Sequence, residues 1–324
     1  MYRLGIDLGG TNIAVGLVDK DCRIVAQKSA PTQVERGGEA IVETMAELCR
    51  AVCETAGVPF EKVESVGVAA PGTVNHTTGV VEYANNLPFH RFPLAQLLGE
   101  KIPCGNIHVE NDANAAAWGE AVAGAAKGTS DSVMVTLGTG VGGGIVIDGK
   151  VYSGFNCAGA ELGHMVIVAG GRPCTCGRRG CWEAYSSATA LIAMTKEKME
   201  ECRKTGRETL LEDLAREKGK VSGRTAFDGM RKGDAAAREV VDEYCSYLAC
   251  GITNLVNIFQ PEVLSIGGGI SNEGDDLVNR LMDTIRKERY GGDVVTPCRI
   301  RVAQLKNDAG IIGAAMLGTG KEEA

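Results

Sequence analysis

An α/β fold with an internal duplication is predicted by three observations. Strand-like and helix-like stretches alternate along the 324 residues, the pattern of layered α/β domains. A unit of strand, glycine turn, strand, turn and strand occurs twice. A shift of 129 residues places Asp7 on Thr136, Gly9 on Gly138 and Val18-Asp19 on Ile147-Asp148. Finally, three apolar strands each run into a glycine turn: Gly9-Gly10-Thr11, Gly138-Thr139-Gly140 and Gly267-Gly268-Gly269.

The first copy reads as strands over 2–8, 13–18 and 23–27, the second as strands over 132–137, 143–147 and 150–152. Between the copies, 39–56 is an amphipathic helix, 65–70 and 107–109 are buried strands, and 114–126 is a small-residue helix. Residues 187–194 and the charged stretch 196–220 read as helices, the latter a solvated face to which no function is assigned. A long helix over 235–259 ends at Gln260-Pro261, a strand covers 263–266, and 310–317 is a closing helix.

Composition narrows the functional classes. The chain is long enough for two cores, and 44% hydrophobic with 23% charged residues is ordinary for a globular protein. A net charge of −7 argues against a nucleic-acid or membrane-surface partner. It does not exclude a local phosphate site, because backbone amides bind anions without net positive charge. Three of the 12 cysteines cluster and the others lie scattered, at positions such as Cys22, Cys49, Cys104 and Cys250. With no leader-like start and no apolar run of membrane-spanning length, free thiols in the cytoplasm are expected.

The cysteine cluster is Cys174-Thr175-Cys176-Gly177-Arg178-Arg179-Gly180-Cys181, followed by Trp182-Glu183. Its two glycines let the backbone fold back so that three sulfurs converge on one cation. Upstream, Glu161-Leu162-Gly163-His164 offers an imidazole as fourth ligand, giving a closed Cys3His zinc site of the structural kind. A disulfide or chance clustering is the alternative at this stage.

Glycine turns after strands suit phosphate binding, since inward amides need no intervening side chain; tight turns alone also use glycine. There is no GxxxxGK[ST] loop and no GxGxxG opening a Rossmann unit. Asp7 ends its strand beside one such turn, where a carboxylate would repel a nucleotide unless Mg²⁺ lay between them. Glu110-Asn111-Asp112 ends another strand before a helix. Capping of that helix by Asn111 or Asp112 is one reading, and a carboxylate at the ligand-binding edge of an α/β sheet is the other.

Taken together, Asp7-Leu8-Gly9-Gly10-Thr11, Asn111-Asp112, Glu161-x-Gly-His164 and Cys174-x-Cys-Gly-x-x-Gly-Cys181-x-Glu183 resemble, in this order, the ROK family of repressors, open reading frames and sugar kinases. The resemblance extends to Gly310-Ile311-Ile312-Gly313-Ala314-Ala315. It implies an actin-like, hexokinase-type fold of duplicated ribonuclease-H-like domains with an interdomain cleft. A small domain of 1–115 plus 307–324 and a larger one of 116–306 carrying the zinc site are expected.

The same resemblance implies ATP-dependent phosphorylation of a hexose at the 6-hydroxyl, glucose first, with Asp112 as general base. Asn111, Glu161, His164 and Glu183 would bind sugar hydroxyls with Asp112. His164 would also ligate zinc with Cys174, Cys176 and Cys181. Gly9, Gly10, Thr11, Gly138, Thr139 and Gly140 would cradle phosphates, with Asp7 on the Mg²⁺ side and Gly268 and Gly269 under the adenosine. Asn86 resembles the family's asparagine-bearing loop near the sugar. Other acceptors are N-acetylmannosamine, N-acetylglucosamine, fructose or allose, and a homo-oligomer, dimer or tetramer, is implied. A sugar-sensing regulator without its DNA-binding domain is the rival class, and Asp7 lying so near Met1 makes an enzyme the expectation.

Overall fold

A computed structural model describes residues 1–319. The chain begins with β1 (Tyr2–Leu8), β2 (Asn12–Asp19), β3 (Ile24–Pro31), α1 (Gly38–Ala56) and β4 (Val63–Ala70). There follow β5 (Thr73–Asn75), β6 (Val80–Tyr83), β7 (His90–Phe92), α2 (Leu94–Gly99), β8 (Ile107–Asn111) and α3 (Asp112–Val122). The second copy supplies β9 (Ser132–Leu137), β10 (Val141–Ile147) and β11 (Lys150–Tyr152). Then come α4 (Glu183–Ser186), α5 (Ala188–Thr205), α6 (Leu211–Glu217), α7 (Thr225–Arg231) and α8 (Ala235–Phe259). The described chain closes with β12 (Val263–Gly267), α9 (Asp275–Glu288), β13 (Arg299–Val302) and α10 (Ala309–Ala315).

The duplication is visible in topology. One sheet has the order β3-β2-β1-β4-β8 and another β11-β10-β9-β12-β13, so each copy lays its strands down in the same spatial sequence. In the first, β1 pairs antiparallel with β2 and parallel with β4, and β4 is parallel to β8. The parallel β1, β4 and β8 therefore bring Asp7, Ala70 and Asn111 to one C-terminal edge, where α/β sheets bind ligands.

The residues form two compact units. The first holds Met1–Met134, Gly144–Ala160 and the described residues from Ala303 onward; the second holds Val135–Gly143 and Glu161–Val302. Helix α3, within which the expected boundary after Ala115 falls, lies whole in the first unit. Residues 320–324 of the expected small domain lie outside the described residues.

In the first unit α1 turns Ile41, Val42, Met45, Cys49 and Val52 into the core under the first sheet. Helix α10 packs backbone to backbone: a Cβ on Gly67 would meet the Ala314 carbonyl oxygen at 1.7 Å, and one on Gly313 the Ala115 carbonyl at 1.7 Å. In the second unit α8 buries Val240, Val241, Tyr244, Leu248, Ile252 and Leu255 along one stripe, the 3.6-residue period visible in the sequence.

Local departures from expectation have physical causes. The helix expected over 114–126 starts at Asp112 and stops at Val122. Its end is fixed by Glu120, fully buried, whose carboxylate accepts the amides of Ala125 (2.6 Å), Gln304 (3.1 Å) and Leu305 (2.7 Å). The charged stretch 196–220 is not one element. Helix α5 runs on to Thr205 and is ended by Gly206 in the left-handed region, after which α6 starts anew. The small sheet β5-β6-β7 was not expected; its strands are too short to show a period.

Candidate active site and metal centre

In the first unit, the candidate residues gather at the C-terminal edge of β1 and β8. The Gly9 amide donates to the Asn12 carbonyl (2.9 Å), and Thr32 ties the turn down through Oγ1 to the Gly9 carbonyl (2.6 Å) and its amide to the Thr11 carbonyl (2.9 Å). A Cβ on Gly10 would lie 3.0 Å from Asn86 Cβ, so the loop between β6 and β7 carries Asn86 directly against this turn. The expected phosphate turn and the expected sugar asparagine are thus neighbours.

Asp7 ends β1 partly buried, with the start of α10 beside it: a Cβ on Gly310 would meet Asp7 Oδ2 at 2.8 Å. Burial and, secondarily, the Asp112 carboxylate push Asp7 up to about 6.

The capping question has a definite answer. Asn111 is the N-cap of α3: its Oδ1 accepts from the amides of Ala113 (2.9 Å) and Asn114 (3.2 Å), and its Nδ2 donates to the Gly72 carbonyl (3.0 Å). Asp112 is the first helical residue. It adds only the adjacent Ala113 amide at 2.8 Å and is exposed to solvent. Although the residue is exposed, protein packed around its carboxyl raises it above the usual carboxylate range, against the lowering effect of the Ala113 amide.

In the second unit, Gly138-Thr139-Gly140 is closed by the Gly138 amide on the Gly140 carbonyl (3.0 Å). The α5 N-terminus holds it from outside, through the Ala188 amide on the Gly138 carbonyl (2.8 Å) and Thr189 Oγ1 on the Thr139 carbonyl (2.7 Å). Gly268, with φ of 82°, lies against this same region: a Cβ there would stand 2.4 Å from the Leu137 carbonyl oxygen. Gly269 opens a short 3-10 turn and has free space where a side chain would be.

His164, Cys174, Cys176 and Cys181 bring one donor atom each to within 4.8 Å of one another. Cys174 Sγ lies 3.6 Å from His164 Nδ1, and Cys176 Sγ lies 3.6 Å from Cys181 Sγ. A tetrahedral ion with metal–sulfur bonds of about 2.3 Å requires sulfur–sulfur edges of about 3.8 Å, so the donor set fits zinc. A disulfide would need about 2.05 Å, and the cysteines are free. Gly177 and Gly180 take φ of 88° and 85°, the left-handed turns that fold the three thiols inward. Burial and the neighbouring thiols push Cys181 up, while the Arg178 amide holds Cys176 down.

Trp182 anchors the cluster. It is fully buried, donates Nε1–H to the Tyr247 carbonyl (3.1 Å) and fills the notch that Gly251 leaves in α8. The next residue, Glu183, links metal site and glycine turn. Its Oε2 accepts the Val141 amide at 3.0 Å, and Cys174 Sγ lies 3.7 Å from its Oε1. A Cβ on Gly140 would collide with Glu183 Oε2 at 2.3 Å, and one on Gly163 with the Val141 carbonyl oxygen at 2.1 Å. The His164 turn, the Glu183 carboxylate and the glycine turn therefore meet at Val141. Glu161 is exposed just ahead of the 3-10 turn Leu162–His164. Sequence reasoning missed Val141 and Trp182; only the Trp182 neighbourhood of the cysteines signalled either.

Comparison with known proteins gives the family of the chain. The family model described as ROK family matches residues 3–321. A glucokinase of Thermotoga maritima is 36% identical over 315 residues, 97% of this chain and 96% of that protein. The crystal structure of a ROK family glucokinase from Streptomyces griseus in complex with glucose and AMPPNP is similar at a TM-score of 0.78 and 33% identity, covering 98% of this chain and 99% of that one. A ROK hexokinase from Thermus thermophilus matches at a TM-score of 0.79 and 33% identity, over 98% and 97% of the two chains.

Proposed function

Since the chain belongs to the ROK family and has its actin-like α/β fold, we propose that it is an ATP-dependent hexokinase converting glucose to glucose 6-phosphate. The observation that carries this reading is the division of labour at the β8 edge. Asn111 caps α3, which leaves the Asp112 carboxylate at the sheet edge that also carries Asp7 and the Gly9-Gly10 turn.

On this reading Asp112 takes the proton of the sugar 6-hydroxyl as its oxygen attacks the γ-phosphorus of ATP. The new O–P bond forms as the bond to the ADP oxygen breaks. Phosphoryl transfer asks mainly for positioning and charge neutralisation, and a base adds about 10²–10⁴-fold. Gly9, Gly10, Thr11, Gly138, Thr139 and Gly140 would supply turns for the phosphates, and Gly268 and Gly269 would lie under the adenosine. Asp7, raised to about 6 by burial and the Asp112 carboxylate, would face the Mg²⁺ side of the nucleotide as a carboxylate at neutral pH.

Asn86, Asn111, Glu161, His164 and Glu183 would hold the sugar with Asp112, because carboxylates and amides pair with vicinal hydroxyls. Zinc on His164, Cys174, Cys176 and Cys181 would be structural, fixing otherwise loop-like backbone. Bound to zinc, Cys174 would be a thiolate, its proton released to solvent, and could no longer donate toward Glu183 Oε1, which would leave that oxygen for a hydroxyl. The enzyme would act in the cytoplasm as a homo-oligomer; among the described residues no helix is long and apolar enough to cross a membrane.

The test is a coupled phosphorylation assay with ATP and Mg²⁺ across glucose, fructose, allose, N-acetylglucosamine and N-acetylmannosamine. Glucose is expected to give the highest kcat/KM. An N-acetylated sugar in first place would overturn the substrate assignment, and no turnover on any of them would overturn the kinase reading.

A further inference from the structure

We propose that Cys157 is a modification site: a thiol activated by His76 that exchanges with low-molecular-weight disulfides. The site lies within the first unit and uses none of the residues assigned to sugar, nucleotide or zinc. It stands or falls apart from the kinase reading.

Cys157 Sγ lies 3.3 Å from His76 Nδ1, with Ser153 Oγ at 3.4 Å from the same nitrogen. The imidazole is about half exposed, whereas the carboxylate that faces the same Nδ1 is not: Glu110 is 5% exposed and sets Oε2 3.9 Å from that nitrogen. Glu110 is held in place through Oε1, which accepts from the Asn111 amide (2.8 Å) and Asn114 Nδ2 (3.0 Å). Its second oxygen is thus turned toward the imidazole. The arrangement is that of an activated nucleophile: a thiol within reach of a base, and a buried carboxylate that stabilises the imidazolium formed when the base takes the proton.

A further feature of Cys157, which it shares with Cys22, is its backbone conformation. Its backbone is in the left-handed region, φ 60°, which costs a residue with a Cβ and favours glycine. A side chain is kept there at a backbone cost, and it is the one that meets His76.

The step balances without another reagent. His76 Nδ1 takes the Cys157 proton, and the thiolate attacks one sulfur of the incoming disulfide. The Cys157–sulfur bond forms as the original sulfur–sulfur bond breaks. The departing half leaves with the electron pair as a thiolate and accepts the proton from the imidazolium. Cys157 sulfur is oxidised and the departing sulfur reduced.

The experiment treats the intact, metal-loaded protein with a limiting amount of 5,5′-dithiobis(2-nitrobenzoate), and separately with oxidised glutathione. Thionitrobenzoate release is timed, and each adduct is located by peptide mass spectrometry. Cys104 is the internal reference: it is also half-buried, but its Sγ donates to the Asn106 carbonyl at 3.8 Å. Cys157 is expected to react first in the unmodified protein, and the fast phase to vanish in Cys157→Ser. In His76→Asn, its rate is expected to fall about 10-fold or more while Cys104 is unchanged. Labelling of Cys104 ahead of Cys157 would overturn the proposal without recourse to any variant. So would a fast phase that persists in Cys157→Ser, or a Cys157 rate in a normally melting His76→Asn protein within about twofold of the original.

Discussion

Asn111 Oδ1 takes the Ala113 and Asn114 amides at the start of α3, and this separates the duties of two adjacent residues that the sequence alone leaves interchangeable. With the cap assigned to Asn111, the Asp112 carboxylate, raised by desolvation, holds only the adjacent Ala113 amide among the described hydrogen bonds. Each residue can then be tested against the other.

Asp112→Asn keeps size and hydrogen bonding but cannot take a proton. Its kcat is expected to fall roughly 10²-fold or more with sugar KM and melting temperature little changed. Asn111→Ala should show a different profile, losing about 1 kcal/mol of stability with the cap. Steady-state kinetics and thermal melts on both variants check this. Near-normal turnover in Asp112→Asn would remove it as the base.

Asp7 gives a pH dependence whose sign is fixed. Burial and the Asp112 charge raise it from 3.8 to about 6, so the folded chain holds a proton there that the unfolded chain has released. Stability from this group is therefore full below about pH 4 and is lost as pH rises through about 6. Asp7→Asn should raise stability at pH 7.5 by on the order of 1 kcal/mol while lowering turnover. The part of the acid limb of the kcat/KM profile that lies near pH 6 should be lost in that variant, leaving the limb set by the Asp112 base. Melts at pH 5 and 7.5 with a pH–rate profile decide the matter.

Cys176→Ser removes one donor of the four-atom cluster. Bound zinc and sugar phosphorylation are expected to fall together, because the metal organises local structure. Acidification should likewise release zinc as the thiolates regain protons. Elemental analysis alongside activity is the check, and full activity in a zinc-free variant would count against the link.

Gly140→Ala places a methyl group 2.3 Å from where Glu183 Oε2 now sits. The carboxylate must leave the Val141 amide, so KM for sugar and for ATP are both expected to rise severalfold, with zinc retained. A change confined to ATP would mean that Glu183 does not connect the two sides.

How much of this was legible beforehand depends on the range of the interactions. Helix α8 could be read to the residue, because its apolar period runs unbroken until Gln260-Pro261. The cysteine cluster was legible because its ligands are local in sequence. The end of α3 was not, since it depends on Glu120 reaching the amides of Gln304 and Leu305. The contact of Gly10 with Asn86, and of Glu183 with Val141, likewise joins distant segments that no local pattern announces.

The seating of α10 has a consequence for the order of assembly during synthesis. This helix lies against β1, β4 and α3 at backbone contact, where Gly5, Gly67 and Gly313 leave no space even for a methyl group. Its own residues, Ala309–Ala315, emerge from the ribosome after the whole of the second unit. The first sheet is thus made early but waits uncovered, its α10 face open to solvent and to chaperones, until translation has passed residue 315. The second unit has no such dependence and can close first, so the half of the protein written first is the half finished last.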